Sequence, residues 1–309
     1  MKQPQKPAKS RTKVLFVINP RSGTARENTL KELISEQAES QDFDFQIYNM
    51  TGNDEARIRT EIKRFRPSIV AAAGGDGTMK MMAGLLADTN TTLAIIPYGS
   101  ANGMARELQI PNIDFALELL SKGRKKKVDL ININNEICMH LSDIGLNARV
   151  VKRFEKDPKR GKLTYAKHLF GEMFFLKSYR FQINHDGKNI RRKGVSITFA
   201  NATKYGTGAV INPIGILDDG KFELIIVKPF PRIQLLSIAW KMFVGKLHTS
   251  DYVEIIPCIN ATVISSRKTT LQVDGEVIGR VKEINLSVMP KALTVLVPAE
   301  AKKAPARKP

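Results

Sequence analysis

Along the first third of the chain, short apolar runs alternate with stretches whose apolar residues recur at helical spacing. VLFVIN (14–19) reads as a strand, and Leu30, Leu33, Ile34 and Ala38 then share one face of a helix. FDFQIY (43–48) alternates like a strand and leads into a charged helical stretch that ends at Phe65. IVAAA (69–73) and LAIIP (93–97) are short buried-strand runs with a Met/Leu/Ala helix between them at 79–87. Phe115, Leu117, Leu119 and Leu120 mark a further helix. Strands alternating with helices predict a parallel, doubly wound sheet, whose ligands bind at the carboxyl ends of the strands.

Beyond KGRKKK (122–127) the texture changes. Strand-like segments now follow one another: VDLINI, ICMHLS, FQIN, VSITFA, ELIIVK, VEII, ATVIS, TLQVD, INLSVM and LTVLV. Turn signals such as His185-Asp186-Gly187-Lys188 separate them. This predicts a mainly antiparallel β-sandwich or barrel with helical insertions near 163–177 and 232–245. The division falls near residue 130, giving an α/β domain at 13–130 and a β-rich domain at 131–290. The ends, 1–12 and 299–309, are rich in Lys, Pro and Ala and read as disordered basic tails.

Composition narrows the function classes. Of 309 residues, 42% are hydrophobic and 26% charged, which describes a globular chain and excludes a fibrous or disordered one. No 18-residue uncharged apolar run exists, so a spanning helix is excluded, and the N-terminal segment has no apolar core of a secretory signal. Cys138 and Cys258 stand far apart without C-x-x-C spacing, which fits a reducing cytoplasm. The formal charge is +19, and about +11 remains on the body once the tails are set aside. Such a body attracts nucleic acid, anionic lipid or phosphorylated ligands. No interleaving of aromatic and basic residues marks an RNA-binding surface, and the four histidines lack metal-ligand spacing.

The strongest local signal is Gly74-Gly75-Asp76-Gly77-Thr78, placed directly after IVAAA and before a helix. Glycines there let main-chain amides and a helix N-terminus approach an anion such as a phosphate. The sequence is neither a P-loop nor a dinucleotide fingerprint. Taken alone it reads equally well as a tight turn in which Asp or Thr caps the helix. Two further small-residue loops, Asn19-Pro20-Arg21-Ser22-Gly23 and Gly99-Ser100-Ala101-Asn102-Gly103, follow other strands of the same sheet. Three such loops converging on one edge favour a nucleotide polyphosphate.

In this order and spacing, Asn19-Pro-x-Ser-Gly23, the GGDGT loop and Gly99-Ser-x-Asn102 resemble the diacylglycerol kinase catalytic domain, a family with sphingosine and ceramide kinases and, more distantly, NAD kinases. FANATKYGTGAVINPIGILDDGKFELIIVK (199–228) and LQVDGEVIG (271–279) continue the resemblance, which runs from about residue 12 to 298. It implies a two-domain fold with ATP and Mg²⁺ in the cleft, and a last strand (293–297, within 291–298) that returns to the first domain. Carried over by residue, Asn19, Pro20, Arg21, Ser22, Gly23, Thr51, Gly74, Gly75, Asp76, Gly77, Thr78, Met79, Lys80, Ser100 and Asn102 become nucleotide contacts. Asp219 becomes the metal carboxylate, with the carbonyls of Ile216 and Lys221 completing that site, and Glu276 the general base. The chemistry makes Asp76, like Asp219, a direct or water-mediated partner of Mg²⁺ and, with Glu276, a candidate catalytic residue. Thr51 lies in Thr51-Gly52-Asn53-Asp54, which by itself looks like a loop with a helix cap.

The family pattern usually continues GGDGT with an apolar residue and then Asn-Glu, where this chain has Met79, Lys80 and Met81. Its Asn-Asp-Phe-Ala is here Asn102-Gly103-Met104-Ala105, which removes a carboxylate. The resulting expectation is a cytoplasmic, ATP- and Mg²⁺-dependent kinase of a lipid hydroxyl, diacylglycerol or sphingoid-type, peripherally associated with an anionic membrane face. A homodimer is a candidate assembly, and nucleic acid is not an expected partner. The competing readings are a kinase of a soluble acceptor such as NAD and a non-catalytic nucleotide- or lipid-binding regulator. Basic clusters at 122–127 and 152–162 read as solvated loops or as lipid-facing surface. LTYAKHLFGEMFF (163–175) beside the second reads as core packing or as an interfacial helix.

Overall fold

Five consecutive residues of β1 (Thr12–Ile18), from Val14 to Ile18, are buried because the strand lies inside the sheet and is covered on both faces. The structure, a computed structural model, describes residues 11–22, 27–41, 43–52, 54–145, 177–205 and 208–299. Gly23, the second basic cluster, the 163–175 segment and nearly all of both tails lie outside the described residues.

The first half runs β1, α1 (Glu27–Gln41), β2 (Phe43–Asn49), α2 (Glu55–Phe65), β3 (Ile69–Gly74), α3 (Asp76–Leu86), β4 (Thr92–Pro97), α4 (Gly103–Glu107) and α5 (Ile113–Lys122). Its strands pair in parallel in the order β2-β1-β3-β4. The loops after β1, β3 and β4 therefore share one edge. The Met/Leu/Ala helix of the sequence reading starts earlier than its periodicity suggested, at Asp76, because the glycine-rich stretch itself coils into the first turn.

The second half runs β5 (Arg124–Ile133), β6 (Glu136–Cys138), β7 (Leu141–Gly145), β8 (Tyr179–His185), β9 (Lys188–Gly194), β10 (Ser196–Ala200), β11 (Phe222–Val227), α6 (Leu235–Phe243), β12 (Val253–Cys258), β13 (Asn260–Val273) and β14 (Glu276–Val297). Its pairings are antiparallel, and one joint makes the sheet mixed: β14 pairs in parallel with β4 through Val295 and Leu93. Apolar side chains gather into one core under the parallel strands and a second between the antiparallel layers. β5 passes from the first core at Leu130 to the second at Ile131, and β14 passes back from Leu286 to the run Ala292–Leu293.

Three local readings change. Arg124–Lys127 are not a loop: they begin β5 and pair with Thr294 to Val297 of β14, with Arg124, Lys125 and Lys127 exposed and Lys126 half-buried. ATVIS and TLQVD are one strand, β13, interrupted by a bulge between Ile264 and Thr269, where a polar stretch imitated a turn. INLSVM and LTVLV are likewise one strand, bulged between Met289 and Leu293. The Asp186-Gly187 signal does form a two-residue hairpin, closed by the pair His185 and Lys188.

Candidate functional site

Where β3 ends, Gly75 stands at the N-cap of α3 with no side-chain cap, so the capping alternative for Asp76 and Thr78 fails. Both side chains instead reach across to the neighbouring loops. The Asp76 carboxylate accepts the Gly103 N–H at 2.7 Å, and the Thr78 hydroxyl accepts from Asn19 Nδ2 at 3.0 Å. The three loops are thereby laced side by side. Asn102 closes its own loop by accepting the Gly99 N–H and donating to the Gly99 carbonyl. Gly99 passes so close to β3 that a Cβ there would lie 2.5 Å from Gly75 Cα, which only glycine tolerates. This close approach leaves the main chain of the α3 N-terminus facing a cleft of about 610 Å³.

Asn19, Ser22, Gly75, Gly77, Thr78 and Lys80 line that cleft from the first half, and Glu276 and Glu136 from the second. Arg21 turns away to donate to the Thr51 carbonyl at 2.8 Å. Thr51 is held by Asp54, whose carboxylate accepts the N–H groups of Thr51 and Gly52. The expected helix cap is therefore a loop clasp: Asp54 points back into the loop and makes no cap bond to α2. The Gly52 N–H, opposed by burial and aided by Thr51, holds that carboxyl below the usual range. Gly52, not Thr51, lines the cleft. The Met79 side chain is buried in the core and leaves only its main chain near the loops, and Ser100 is exposed at the rim.

Glu276 opens β14 after the two-residue Asp274-Gly275 turn, in which Asp274 has φ 50° and Gly275 φ 89°. That turn is anchored from within. The buried Asp274 carboxylate accepts three consecutive N–H groups, from Met139, His140 and Leu141, at 2.7, 2.9 and 3.0 Å. The Cys138 thiol donates to it as well, at 3.3 Å. Burial pushes the Asp274 carboxyl up while the N–H groups pull it down, leaving it raised. Burial beside that carboxylate drives the Cys138 thiol well above its ordinary value. The turn is thus fixed, and Glu276 extends toward the first turn of α3, its Oε1 3.0 Å from where a Gly77 Cβ would stand.

Lys80, only 11% exposed, spans the cleft with its ammonium 3.0 Å from both Glu276 and Glu136. Burial lowers this ammonium's pKa, but the two carboxylates outweigh it and leave it above the ordinary lysine range. The departure from the family pattern at residue 80 has therefore become a bridge between the two halves. His140 packs where a side chain at 103 would go: a Cβ on Gly103 would meet its Cε1 at 2.7 Å.

Asp219 accepts the Lys221 N–H at 3.1 Å in the loop that carries Ile216, and none of these three residues lines the cleft. Asp129, fully buried on β5, holds this loop through the Gly220 N–H and the β14 bulge through the Lys291 N–H, each at 2.7 Å. Asn201 donates to the carbonyls of Asp129 and Met139, linking the Asp219 loop to the Asp274 nest. Asp129, Glu136, Asp274 and His140 were not singled out from sequence. Their partners are main-chain groups or remote side chains, so no local motif announces them.

An oxygen-only set of one carboxylate and main-chain carbonyls fits Mg²⁺, which keeps waters and bridges to phosphates. No cluster of three or more His, Cys, Asp or Glu in metal-holding geometry occurs among the described residues. The amide-lined glycine cradle fits the phosphates of a nucleotide.

Comparison with known proteins matches both halves of the chain to described families. Residues 13–133 match the family described as diacylglycerol kinase catalytic domain, and residues 142–297 match the YegS C-terminal NAD kinase beta sandwich-like domain. A Pectobacterium atrosepticum protein named "Probable lipid kinase YegS-like" is 26% identical over 80% of this chain and 84% of its own. An uncharacterised protein of Synechocystis is 26% identical over 92% of this chain and 70% of its own. In fold, the chain is similar to a crystal structure titled as a diacylglycerol kinase from Bacillus anthracis, with a TM-score of 0.75 and 20% identity over 94% of this chain and 99% of that one. With both halves matched in order and the cleft between them built as described, the chain belongs to the diacylglycerol kinase catalytic-domain family, with a YegS-type second domain.

Proposed function

We propose that this protein is an ATP- and Mg²⁺-dependent kinase that transfers the γ-phosphate to the hydroxyl of a lipid, diacylglycerol or sphingoid-type. The observation that carries the reading is the cleft in which main-chain amides of the α3 N-terminus face the Glu276 carboxylate. Phosphoryl transfer depends on positioning and charge stabilisation more than on covalent help from the protein. Asn19, Thr78 and the glycine amides would grip the nucleotide phosphates. Mg²⁺, when bound, would supply charge neutralisation for the transfer, and Asp219 with the carbonyls of Ile216 and Lys221 would hold it. Glu276 accepts the proton of the acceptor hydroxyl as the oxygen–phosphorus bond forms. Lys80 keeps Glu276 over the helix end, and Asp76 ties two of the phosphate loops together. An anionic membrane surface on the cytoplasmic side is the source of acceptor that suits a strongly basic chain.

A second reading, a non-catalytic binder of nucleotide or lipid, is favoured by one observation: Glu276 is already engaged by Lys80. Incubation with γ-labelled ATP, Mg²⁺ and a panel of lipids and NAD separates the readings. The kinase reading expects a labelled lipid and a loss of about 10²-fold or more in Glu276→Gln. Labelled NAD would move the acceptor to the soluble class. Nucleotide binding without any labelled product, unchanged in Glu276→Gln, would sink the kinase reading.

A further inference from the structure

The helix α6 is apolar on both of its faces. Inward, Ile238 is buried and Met242 packs against the small cluster formed by Leu141, Ala200, Ile225 and Val253. Outward, Leu236, Trp240 and Phe243 are 69%, 63% and 68% exposed, and Ile233 in the preceding turn is 84% exposed. Val244 extends the same patch at 42%. The spacing 233, 236, 240, 243 keeps these side chains on one stripe. Most of the large exposed apolar side chains among the described residues belong to this single stretch, so it is not scattered surface apolarity.

The stretch that carries it is charged with one sign, the exposed Asp251 standing just beyond its end. From Leu224 to Ser250 the sequence holds no Asp or Glu, but it holds Lys228, Arg232, Lys241 and Lys246. Lys228 and Lys241 donate to the carbonyls of Asp251 and Thr249, contacts that anchor the side chains without cancelling their charge. An apolar, Trp-bearing face with a basic rim is the pattern of a helix that lies in a membrane interface. A second copy of the chain would bring the same basic rim against this one and be repelled.

We infer that the outward face of α6 inserts into the surface of an anionic bilayer. The α6 helix is joined to the site side of the fold: the Met242 carbonyl accepts the Val210 N–H. The segment around Val210 bonds to α4 through Thr203 and Glu107, and leads on to the Asp219 loop. Docking by α6 would therefore bring that flank of the fold down to the lipid.

Trp240 is the sole tryptophan of the chain, so its emission reports this face alone. The test uses the full chain with vesicles of phosphatidylcholine, with or without phosphatidylglycerol. Expected are a blue shift and quenching by brominated acyl chains with the anionic vesicles, both weakened by salt. A Leu236→Gln/Phe243→Gln variant, both positions exposed, should keep its unfolding midpoint while vesicle partitioning falls about tenfold or more. Partitioning unchanged in that variant, or no quenching by the brominated chains, would overturn the inference. So would a blue shift that grows with protein concentration without vesicles, which would assign the face to self-association. No phosphotransfer is measured, so the outcome is independent of the kinase reading.

Discussion

The two walls of the cleft solve opposite problems with the same main-chain groups. On the first wall, Asp76 ties two of the loops together and Asn102 closes its own, which leaves the glycine-rich N-terminus of α3 facing the cleft with little side chain in the way. On the second wall, the amides turn inward to buried carboxylates. Asp274 collects three of them and Asp129 two, and the turns they hold contain left-handed residues: Asp274 at φ 50°, Gly220 at 73° and Lys291 at 54°. The difference is instructive. A surface that must grip an anion needs unfilled donors and little side chain, whereas one that must aim a single carboxylate needs every nearby donor satisfied and its turns held.

Breaking the second wall should have the largest effect on stability. Asp274→Leu leaves three buried N–H groups and a thiol without an acceptor, and should cost at least about 3 kcal/mol in urea unfolding. Asp274→Asn keeps part of the nest and should cost less. On the first wall, Gly99→Ala forces a Cβ against Gly75 main chain rather than a yielding side chain. It should lower nucleotide affinity about tenfold or more in a binding titration, with a stability loss of about 1–3 kcal/mol. If Gly99→Ala binds nucleotide like the parent, the phosphate-gripping role of that wall is lost.

The bridge between the walls tests whether they act together. Lys80→Asn removes the ammonium that holds Glu276 and should reduce turnover about ten- to hundredfold with little change in nucleotide affinity. Its stability should fall by only about 1 kcal/mol, since Lys80 is nearly buried but Glu276 is half exposed and partly screened by water. The smallest effect is expected far from the cleft, at Arg192 and Glu254, which form a forked pair joining β9 to β12. The Arg192 guanidinium holds the Glu254 carboxyl below its usual range. A lowered carboxylate stabilises the fold above its unfolded pKa and loses that contribution as pH falls through the folded one. Glu254→Gln should therefore cost about 0.5–1 kcal/mol near neutral pH, and the difference from the parent should vanish in acid unfolding below the carboxylate range.

The alternation of strand and helix to residue 122, the glycine loops and the antiparallel texture beyond were legible because each is a local pattern. Periodicity requires only a few neighbouring residues, and a glycine stretch after a strand marks a sharp turn or a close approach of main chain whichever use it serves. The family pattern also brought Glu276 and Asp219 into view, though neither Asp-Gly-Glu nor Asp-Asp-Gly says alone where its carboxylate points. The boundary between ATVIS and TLQVD was misread for the opposite reason: polar residues on a bulged strand look like a turn until a partner strand is seen.

The sequence by itself determined the two fold classes, their order and the three phosphate-type loops, because hydrophobic period and glycine placement are set by residues close in the chain. Only the tertiary structure decided that Asp76 binds Gly103 instead of capping its helix, that Asp274 and Asp129 hold distant main chain, and that Lys80 bridges to Glu276. The physical reason is separation: Lys80 and Glu276 lie 196 positions apart, and a carboxylate's partner across such a distance is chosen by how the sheet folds, not by its neighbours in sequence.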